Sequence, residues 1–213
     1  MRCILLFCLV LSSVAVGSDQ AAGRVTAVVG VSEVLRADTR RILQRGDAIF
    51  PNDEFETRDA ARLVLRMNDG SLITLGGATR MSLQDWRYRP EDSDNAGRFR
   101  FLEGAFRFIT GLITEQDQPQ LQVETPAGTI GIRGTDFWGG NLQADVIDVL
   151  LLDGHHALVV ANEQGQVVIA DAGMGTSLRA GSVPAEVVRW SQDKVNRAVA
   201  TVQLPAKMPE QPE

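Results

Sequence analysis

The two histidines of the sequence, His155 and His156, are adjacent and directly follow an Asp-Gly pair. Neighbouring side chains on a strand point to opposite faces, so the pair cannot ligate one metal ion without distortion. Asp153 and His155 can share a face, but two ligands do not make a metal site. We therefore interpret the histidines as a surface pair near a turn, and we predict no metal site and no cofactor.

Nucleophilic catalysis finds little support in the sequence. A serine hydrolase needs a nucleophile, a base and an orienting acid, and the sequence contains no Gly-x-Ser-x-Gly elbow. The 27 Asp and Glu residues allow many carboxylate pairs of the kind that cleaves glycosides, yet no spacing singles out two of them. We predict a protein that is not an enzyme, and a polysaccharide-acting enzyme on a β scaffold is the alternative.

The most distinctive spacing lies in residues 123–137, where Gly128, Gly131 and Gly134 follow one another at intervals of three. This spacing fits neither the dinucleotide-binding pattern nor the P-loop, and no helical pattern follows it. The glycines are therefore interpreted as backbone architecture and not as a phosphate-binding loop.

Apolar residues change parity twice along this segment. They occupy odd positions in 121–125, even positions at Ile130 and Ile132, and an odd position again at Phe137. A one-residue slip sends every following side chain to the other face of a sheet, so each change requires an irregularity.

We predict a single strand that changes face twice, at a bend formed by Pro126 and Gly128 and at a bulge formed by Gly134. Arg133 alternates with Ile132 and should point away from it. Its five donors suit a structural role, which we call a staple: a buried or half-buried side chain that donates hydrogen bonds to backbone carbonyls or to a carboxylate. This is the preferred interpretation. The alternative is an anion-binding or partner-binding site.

Residues 1–17 have the pattern of a secretory signal peptide. Arg2 is followed by an apolar run over 4–11, and Ala15 and Gly17 place small residues at the −3 and −1 positions of a cleavage site. We predict a periplasmic or secreted protein. Both cysteines precede the cleavage site, so the mature chain can form no disulfide. No later apolar run is long enough for a transmembrane helix.

The charge of the mature chain argues against nucleic acid as a partner. Without Arg2 the chain has 20 basic and 27 acidic residues, a net charge of −7. Repulsion from the phosphates would oppose binding to nucleic acid or to an anionic lipid surface.

Period-two alternation predicts an all-β domain over residues 18–182. Residues 62–67 are the clearest example, because Leu63, Leu65 and Met67 share one face and arginines occupy the other. Many short strands of this kind favour a multi-stranded β-sandwich or a β-solenoid-like fold.

Acidic-Gly turns punctuate the strands at Asp69-Gly70, Glu103-Gly104 and Asp153-Gly154. The turn at 102–104 is expected to reverse the chain, so that the next strand returns beside the previous one. Two polar stretches, 88–97 and 114–120, are predicted to be exposed loops.

The C-terminal part predicts an amphipathic helix over 183–203. Ser182 can cap it, and Pro184 suits the first turn. The apolar stripe that we expect to pack on the β domain consists of Val188, Val195, Ala198, Val199 and Val202. A helix that docks a partner is the alternative, and 204–213 is predicted to be a flexible tail.

The motif Val-x-Thr-Pro-x-x-x-Ile-x-Ile-Arg-Gly-Thr-x-Phe over 123–137 resembles the signature of the FecR-like domain. The motif residues are Thr125, Pro126, Gly128, Gly131, Arg133, Gly134, Thr135 and Phe137. The segment 57–63, the Asp-Gly-Ser turn at 69–71 and the later turn glycines follow in the order of that family. The resemblance spans roughly residues 57–181.

The resemblance implies the fold of that family and an exported location; in its best-known members the domain is periplasmic and senses an outer-membrane siderophore receptor. The best-known members pass the signal to a cytoplasmic sigma factor through a membrane helix and an N-terminal anti-sigma region. This sequence has a predicted signal peptide where those parts would lie. We therefore expect an exported binding or sensory module of the bacterial envelope, with a role in signal transduction and no catalytic residues. Its expected partner is an envelope protein or a glycan such as peptidoglycan.

Overall fold

The computed structural model describes residues 20–116, 119–154 and 156–206. The strands are β1 (Gly23–Val29), β2 (Ser32–Arg36), β3 (Thr39–Ile42), β4 (Ala48–Ile49), β5 (Glu54–Thr57), β6 (Arg62–Met67), β7 (Leu72–Leu75), β8 (Arg80–Arg87), β9 (Ala96–Glu103), β10 (Ala105–Ile109), β11 (Gln120–Thr125), β12 (Gly128–Ile132), β13 (Thr135–Gly140), β14 (Ile147–Gly154), β15 (Leu158–Asn162), β16 (Gly165–Ile169), β17 (Met174–Leu178) and β18 (Val188–Arg189). Within these ranges the remaining elements are a short 3-10 helix (Leu112–Thr114) and one α-helix, α1 (Gln192–Ala200).

The strands form two sheets of nine strands each. Sheet I has the order β18-β17-β14-β13-β10-β7-β6-β1-β4, and sheet II has the order β16-β15-β12-β11-β9-β8-β5-β2-β3. Both orders follow the chain almost without interruption, so each sheet grows in one direction as the chain proceeds. The prediction of an all-β fold with a C-terminal helix is confirmed.

The chain alternates between the sheets, in most cases one hairpin at a time. The β6–β7 hairpin lies in sheet I and the β8–β9 hairpin in sheet II, and the same alternation continues through β13–β14 and β15–β16. The turn at Glu103-Gly104 therefore does not return the chain beside β9, as the sequence suggested, but carries it to β10 in the other sheet. Asp153-Gly154 ends β14 before a similar crossing, whereas Asp69-Gly70 closes a hairpin within one sheet.

Aromatic rings from both sheets meet between them. Phe99 of sheet II contacts Phe108 of sheet I with ring centroids 5.4 Å apart. Phe106 and Phe108 of β10 in turn contact Phe137 of β13, at 5.7 Å and 6.0 Å. All four side chains are fully buried. The Arg-Phe alternation of β9 places its phenylalanines in this core and its arginines in solvent.

The C-terminal helix is shorter than predicted. It covers Gln192–Ala200, and the predicted cap at Ser182 does not begin a helix. The reason is tertiary: the Ala185 N–H donates to the Ser177 carbonyl (3.0 Å), and the Thr176 hydroxyl donates to the Ala185 carbonyl (2.6 Å). These bonds hold the segment after Ser182 against β17 in a non-helical conformation.

The true cap is Ser191, whose side chain accepts a hydrogen bond from the Lys194 N–H. Val188 belongs to the edge strand β18, where it pairs with Gly175, and it is half exposed. It is therefore not part of the buried stripe that the sequence indicated.

Helix α1 packs on the outer face of sheet I, as expected. Ala198 and Val202 are buried in a small cluster with Trp138, Leu150 and Trp190. This cluster lies over β13 and β14.

Polar contacts fix the helix in place. The Trp138 indole donates to the Thr201 hydroxyl at 2.9 Å. The Lys194 ammonium lies 2.8 Å from a carboxylate oxygen of Asp148 and 3.7 Å from the ring centroid of Trp190. The helix is thus an integral part of the domain.

The predicted signal peptide, His155 and residues 207–213 of the predicted tail lie outside the described residues. Of the predicted loop at 88–97, residues 88–95 connect β8 to β9 and the last two belong to β9. The predicted loop at 114–120 begins in the 3-10 helix and ends at the first residue of β11. Across the described ranges, no helix has both the length and the apolar character that a membrane span requires.

Candidate functional site at the glycine-rich motif

The motif segment forms three strands, not one strand with two irregularities. β11 and β12 are an antiparallel hairpin in sheet II, and β13 lies in sheet I. The two parity changes of the sequence are therefore a hairpin turn and a crossing between sheets. The positions of apolar residues in the sequence show that the buried side of the chain changes, but they cannot show which strands pair.

Thr125 and Gly128 form the closing pair of the β11–β12 hairpin. The Thr125 hydroxyl donates to the Gly128 carbonyl at 2.8 Å and accepts from the N–H groups of Ala127 and Gly128 at 3.2 Å and 3.1 Å. Gly128 has a φ of +155°, and a Cβ there would lie 2.4 Å from the Ala161 carbonyl oxygen. Pro126 lies in the turn between them. The Thr-Pro-x-Gly part of the motif thus builds the turn.

Arg133 and Gly134 carry the chain from sheet II to sheet I. Gly134 has a φ of +105°, a region that favours glycine. The Thr135 N–H then donates to the Thr110 hydroxyl at 2.8 Å, which anchors the start of β13. The predicted bulge at Gly134 is displaced, because the register shift lies between Asp136 and Phe137.

Arg133 is not the staple that we preferred from the sequence. Its side chain is exposed and makes no hydrogen bond or ion pair with any residue that the structure describes. The crossing to sheet I directs it away from the core, so its guanidinium is free to meet a ligand. This agrees with the alternative interpretation, a site for an anion or a partner.

Arg133 borders a groove of about 460 Å³ on sheet II, which we call the motif groove. Its lining includes Asp85, Arg87, Arg98, Gln120, Gln122, Gly131, Arg133 and Val159. A Cβ on Gly131 would meet nothing closer than the Val159 carbonyl oxygen at 3.6 Å. Gly131 is therefore not required by packing, and the missing side chain keeps the groove open.

The other arginines of the motif groove have carboxylate partners. Arg87 Nε lies 3.3 Å from Asp85, and Arg98 Nε lies 3.8 Å from Glu124. Arg133 has no such partner, so it is the cation of the groove whose charge is not locally compensated. An exposed guanidinium of this kind is suited to a carboxylate, because its planar fork can donate two parallel hydrogen bonds.

The carboxylates with shifted pKa values lie elsewhere and are shifted downward. The hydrogen bond from Arg40 lowers the pKa of Glu56. Burial by itself would raise the pKa of Asp47, but hydrogen bonds from the Gln44 N–H and from Arg41 bring it below its ordinary value. Both groups are therefore charged acceptors and are poorly suited to act as general acids.

His156 is exposed near the end of β14. Among the residues that the structure describes, no group of three or more His, Cys, Asp or Glu side chains could hold a metal ion. The absence of a cofactor remains a prediction.

Sequence reasoning identified Arg133 and Gly131 but missed the residues opposite them. Gln120 and Gln122 lie beside Arg98 because β9 and β11 pair in parallel, with Gln122 opposite Arg98. The alternation of arginine and phenylalanine along β9 places Arg98 on the solvent face. The parallel pairing joins strands that are not consecutive in the chain, and no local pattern indicates it.

Comparisons with known proteins agree with this architecture. Residues 53–155 match the family model described as FecR protein. Two crystal structures of candidate anti-sigma factors from Parabacteroides distasonis superpose with TM-scores of 0.51 and 0.50, at 15% and 13% identity, over 67% of this chain. The match covers 62% of each of those chains, less than two thirds of their length. No curated protein matches the sequence.

Identity this low shows a shared fold and nothing about shared activity. The family match, in contrast, includes the whole motif from Thr125 to Phe137 together with the crossing to sheet I. Residues 53–155 are therefore similar to the FecR family, whose model they match.

Proposed function

We propose that this protein is a non-enzymatic regulatory module that binds a partner protein through the motif groove and acts in signal transduction from an exported compartment. The observation that supports it most directly is the free guanidinium of Arg133 inside the family motif. The FecR domain and the fold shared with candidate anti-sigma factors support a regulatory role.

The polar lining of the motif groove suits a protein segment rich in hydrogen-bond acceptors. Arg133 can bind a carboxylate, and the amide groups of Gln120 and Gln122 can donate to backbone carbonyls. We therefore propose a partner segment with at least one Asp or Glu.

A polysaccharide-acting enzyme would need two carboxylates that converge on one cleft. Asp85 is the only carboxylate that lines the motif groove among the described residues, and it lies beside Arg87. One carboxylate alone cannot supply both the acid and the base or nucleophile that this reaction uses. This arrangement favours binding over catalysis.

A glycan partner is less well supported than a protein. Ligand sites are commonly lined by exposed aromatic rings. The three tryptophans, Trp86, Trp138 and Trp190, are at most 7% exposed, and no aromatic side chain lines the motif groove among the residues described. We therefore propose a protein partner and keep a glycan-binding scaffold as the alternative.

The binding proposal can be tested by site-specific cross-linking. With a photoreactive residue at Gln122, we expect one discrete adduct with a protein from the envelope fraction. Arg133→Glu should reduce its yield at least about tenfold, since a tenfold change corresponds to only about 1.4 kcal/mol. Arg179→Glu is the matched control, because Arg179 is also exposed and has no partner among the described residues. Equal yields in both variants, or no adduct, would contradict the proposal.

Export is tested separately. When the full sequence is expressed in a bacterial host with a periplasm, we expect a mature chain that starts after Gly17, outside the cytoplasm. Intact-mass measurement of the periplasmic fraction checks this. A control with arginines in place of Leu5 and Leu6 should keep its N-terminus, because it interrupts the apolar run. A wild-type chain that retains Met1 in the cytoplasm would overturn the location.

A further inference from the structure

A second groove lies on sheet I and is lined by residues of β1 and β6. It has a volume of about 850 Å³. We call it the arginine groove; its lining includes Gly23, Arg24, Arg45, Arg66, Asn68 and Leu112. It shares none of its lining residues with the motif groove.

Two arginines of this groove face each other directly. Arg24 of β1 and Arg66 of β6 are cross-strand partners in an antiparallel pair, and both are exposed. Arg45 comes from the loop before β4, which the Gly46 N–H ties to the Val25 carbonyl at 2.8 Å. Like charges directly opposite on a sheet are destabilising, so packing within the chain does not account for this arrangement.

These arginines also lack the partners that the others have. Most described arginines pair with a carboxylate or donate to a carbonyl. The described arginines without either are Arg24, Arg45, Arg66, Arg133 and Arg179. Three of these five line a single groove, in a chain whose net charge is −6.

No carboxylate within the groove compensates them. Asp69 is its only acidic lining residue among those described, and it is 2% exposed. Its oxygens accept from the Ser71 N–H and hydroxyl at 2.9 Å and 2.6 Å and from the Ile113 N–H at 3.2 Å. The Asp69 carboxylate therefore accepts hydrogen bonds from the turn and from the 3-10 helix, and it forms no ion pair with the described arginines of the groove.

We propose that the arginine groove binds a phosphate-bearing ligand about the size of a phosphorylated sugar. A carboxylate has two oxygens and is satisfied by one guanidinium. A terminal phosphate presents three acceptor oxygens, which match three guanidinium groups placed around one space. The groove volume lies in the range of small-ligand sites, roughly 300–1,000 Å³. Leu112, which is 52% exposed, provides an apolar wall for the remainder of the ligand.

This site is independent of the proposed partner binding, since it lies on the opposite sheet and uses different residues. It also predicts an unusual combination of effects. Removing the facing arginines should weaken ligand binding, while relief of the like-charge contact should leave the melting temperature unchanged or raise it. A purely structural role for Arg66 would lower the melting temperature instead.

Calorimetric titration of the full mature chain with inorganic pyrophosphate tests the proposal, at low salt and at about 0.15 M salt because exposed charges are screened. We expect saturable binding by the wild-type protein, at least tenfold weaker in Arg24→Gln/Arg66→Gln. Arg179→Gln and Arg189→Gln are controls that each remove an exposed arginine outside the groove, and they should bind as the wild type does.

The source of the phosphate is distinguished by a second arm. Vesicles of phosphatidylcholine with added phosphatidic acid test a lipid headgroup, and pure phosphatidylcholine vesicles are the blank. Binding to phosphatidic acid that depends on Arg24 and Arg66 supports a headgroup, whereas pyrophosphate binding alone supports a soluble ligand. Binding to neither probe overturns the proposal, as does an equal loss of binding in the control variants.

Discussion

Replacing Phe137 by alanine should destabilise the protein by about 3–5 kcal/mol, the range for removing a buried phenylalanine ring. The ring is fully buried and contacts Phe106 and Phe108 at centroid distances of 5.7 Å and 6.0 Å. Its loss would leave a cavity where β10 and β13 face the other sheet. Urea unfolding followed by tryptophan fluorescence measures the change.

The matched control for this variant is Arg133→Ala in the same motif. Arg133 is exposed, so its removal should change stability by no more than about 0.5 kcal/mol. Within the motif, Phe137 would then stabilise the fold, whereas Arg133 would be available for binding. A Phe137→Ala variant that loses less than about 1 kcal/mol would contradict this division.

The second large effect is expected at Gly104, which carries the chain from β9 to β10. Its φ is +99°, and a Cβ there would lie 2.3 Å from the Thr79 hydroxyl oxygen, 2.5 Å from the Thr79 Cα and 2.7 Å from the Ala78 carbonyl oxygen. In the Gly104→Ala variant, the backbone of Ala78 and Thr79 must therefore move, and the new alanine must adopt a disfavoured left-handed conformation. We expect a loss of roughly 3 kcal/mol or more, combining backbone strain with overpacking.

Gly70 provides the control, since it occupies a similar acidic-Gly turn. Its φ is +91°, but a Cβ would meet nothing within 4 Å. Gly70→Ala should therefore lose only about 1–2 kcal/mol, the conformational cost of a left-handed residue. Chemical unfolding of both variants separates the two costs, and equal losses would show that the crossing is not tightly packed.

The sequence predicted local features of the fold well where one face of a strand is charged. β6 begins and ends where the alternation of arginines and apolar residues places it. Side-chain alternation is a property of the strand itself, so it can be read without knowledge of the partner strands.

Features that depend on distant partners were not predictable in the same way. The turn at Glu103-Gly104 has the composition of a hairpin, yet its strands belong to different sheets. Ser182 and Ser191 are both suitable caps, and hydrogen bonds to β17 decide between them. Arg133 has the donors of a staple, but the crossing to sheet I turns it into solvent, away from any carboxylate that the structure describes.

The order of strands in the two sheets has a kinetic consequence. Each new hairpin needs only the strands formed just before it as a template, so folding can propagate from one end, as in repeat proteins. Strands near the N-terminus can thus pair before the strands near the C-terminus are available. Helix α1 is the last element of this order. It is joined to the early strand β6, because the Arg62 guanidinium donates to the Ala200 carbonyl, 138 positions later, at 3.2 Å.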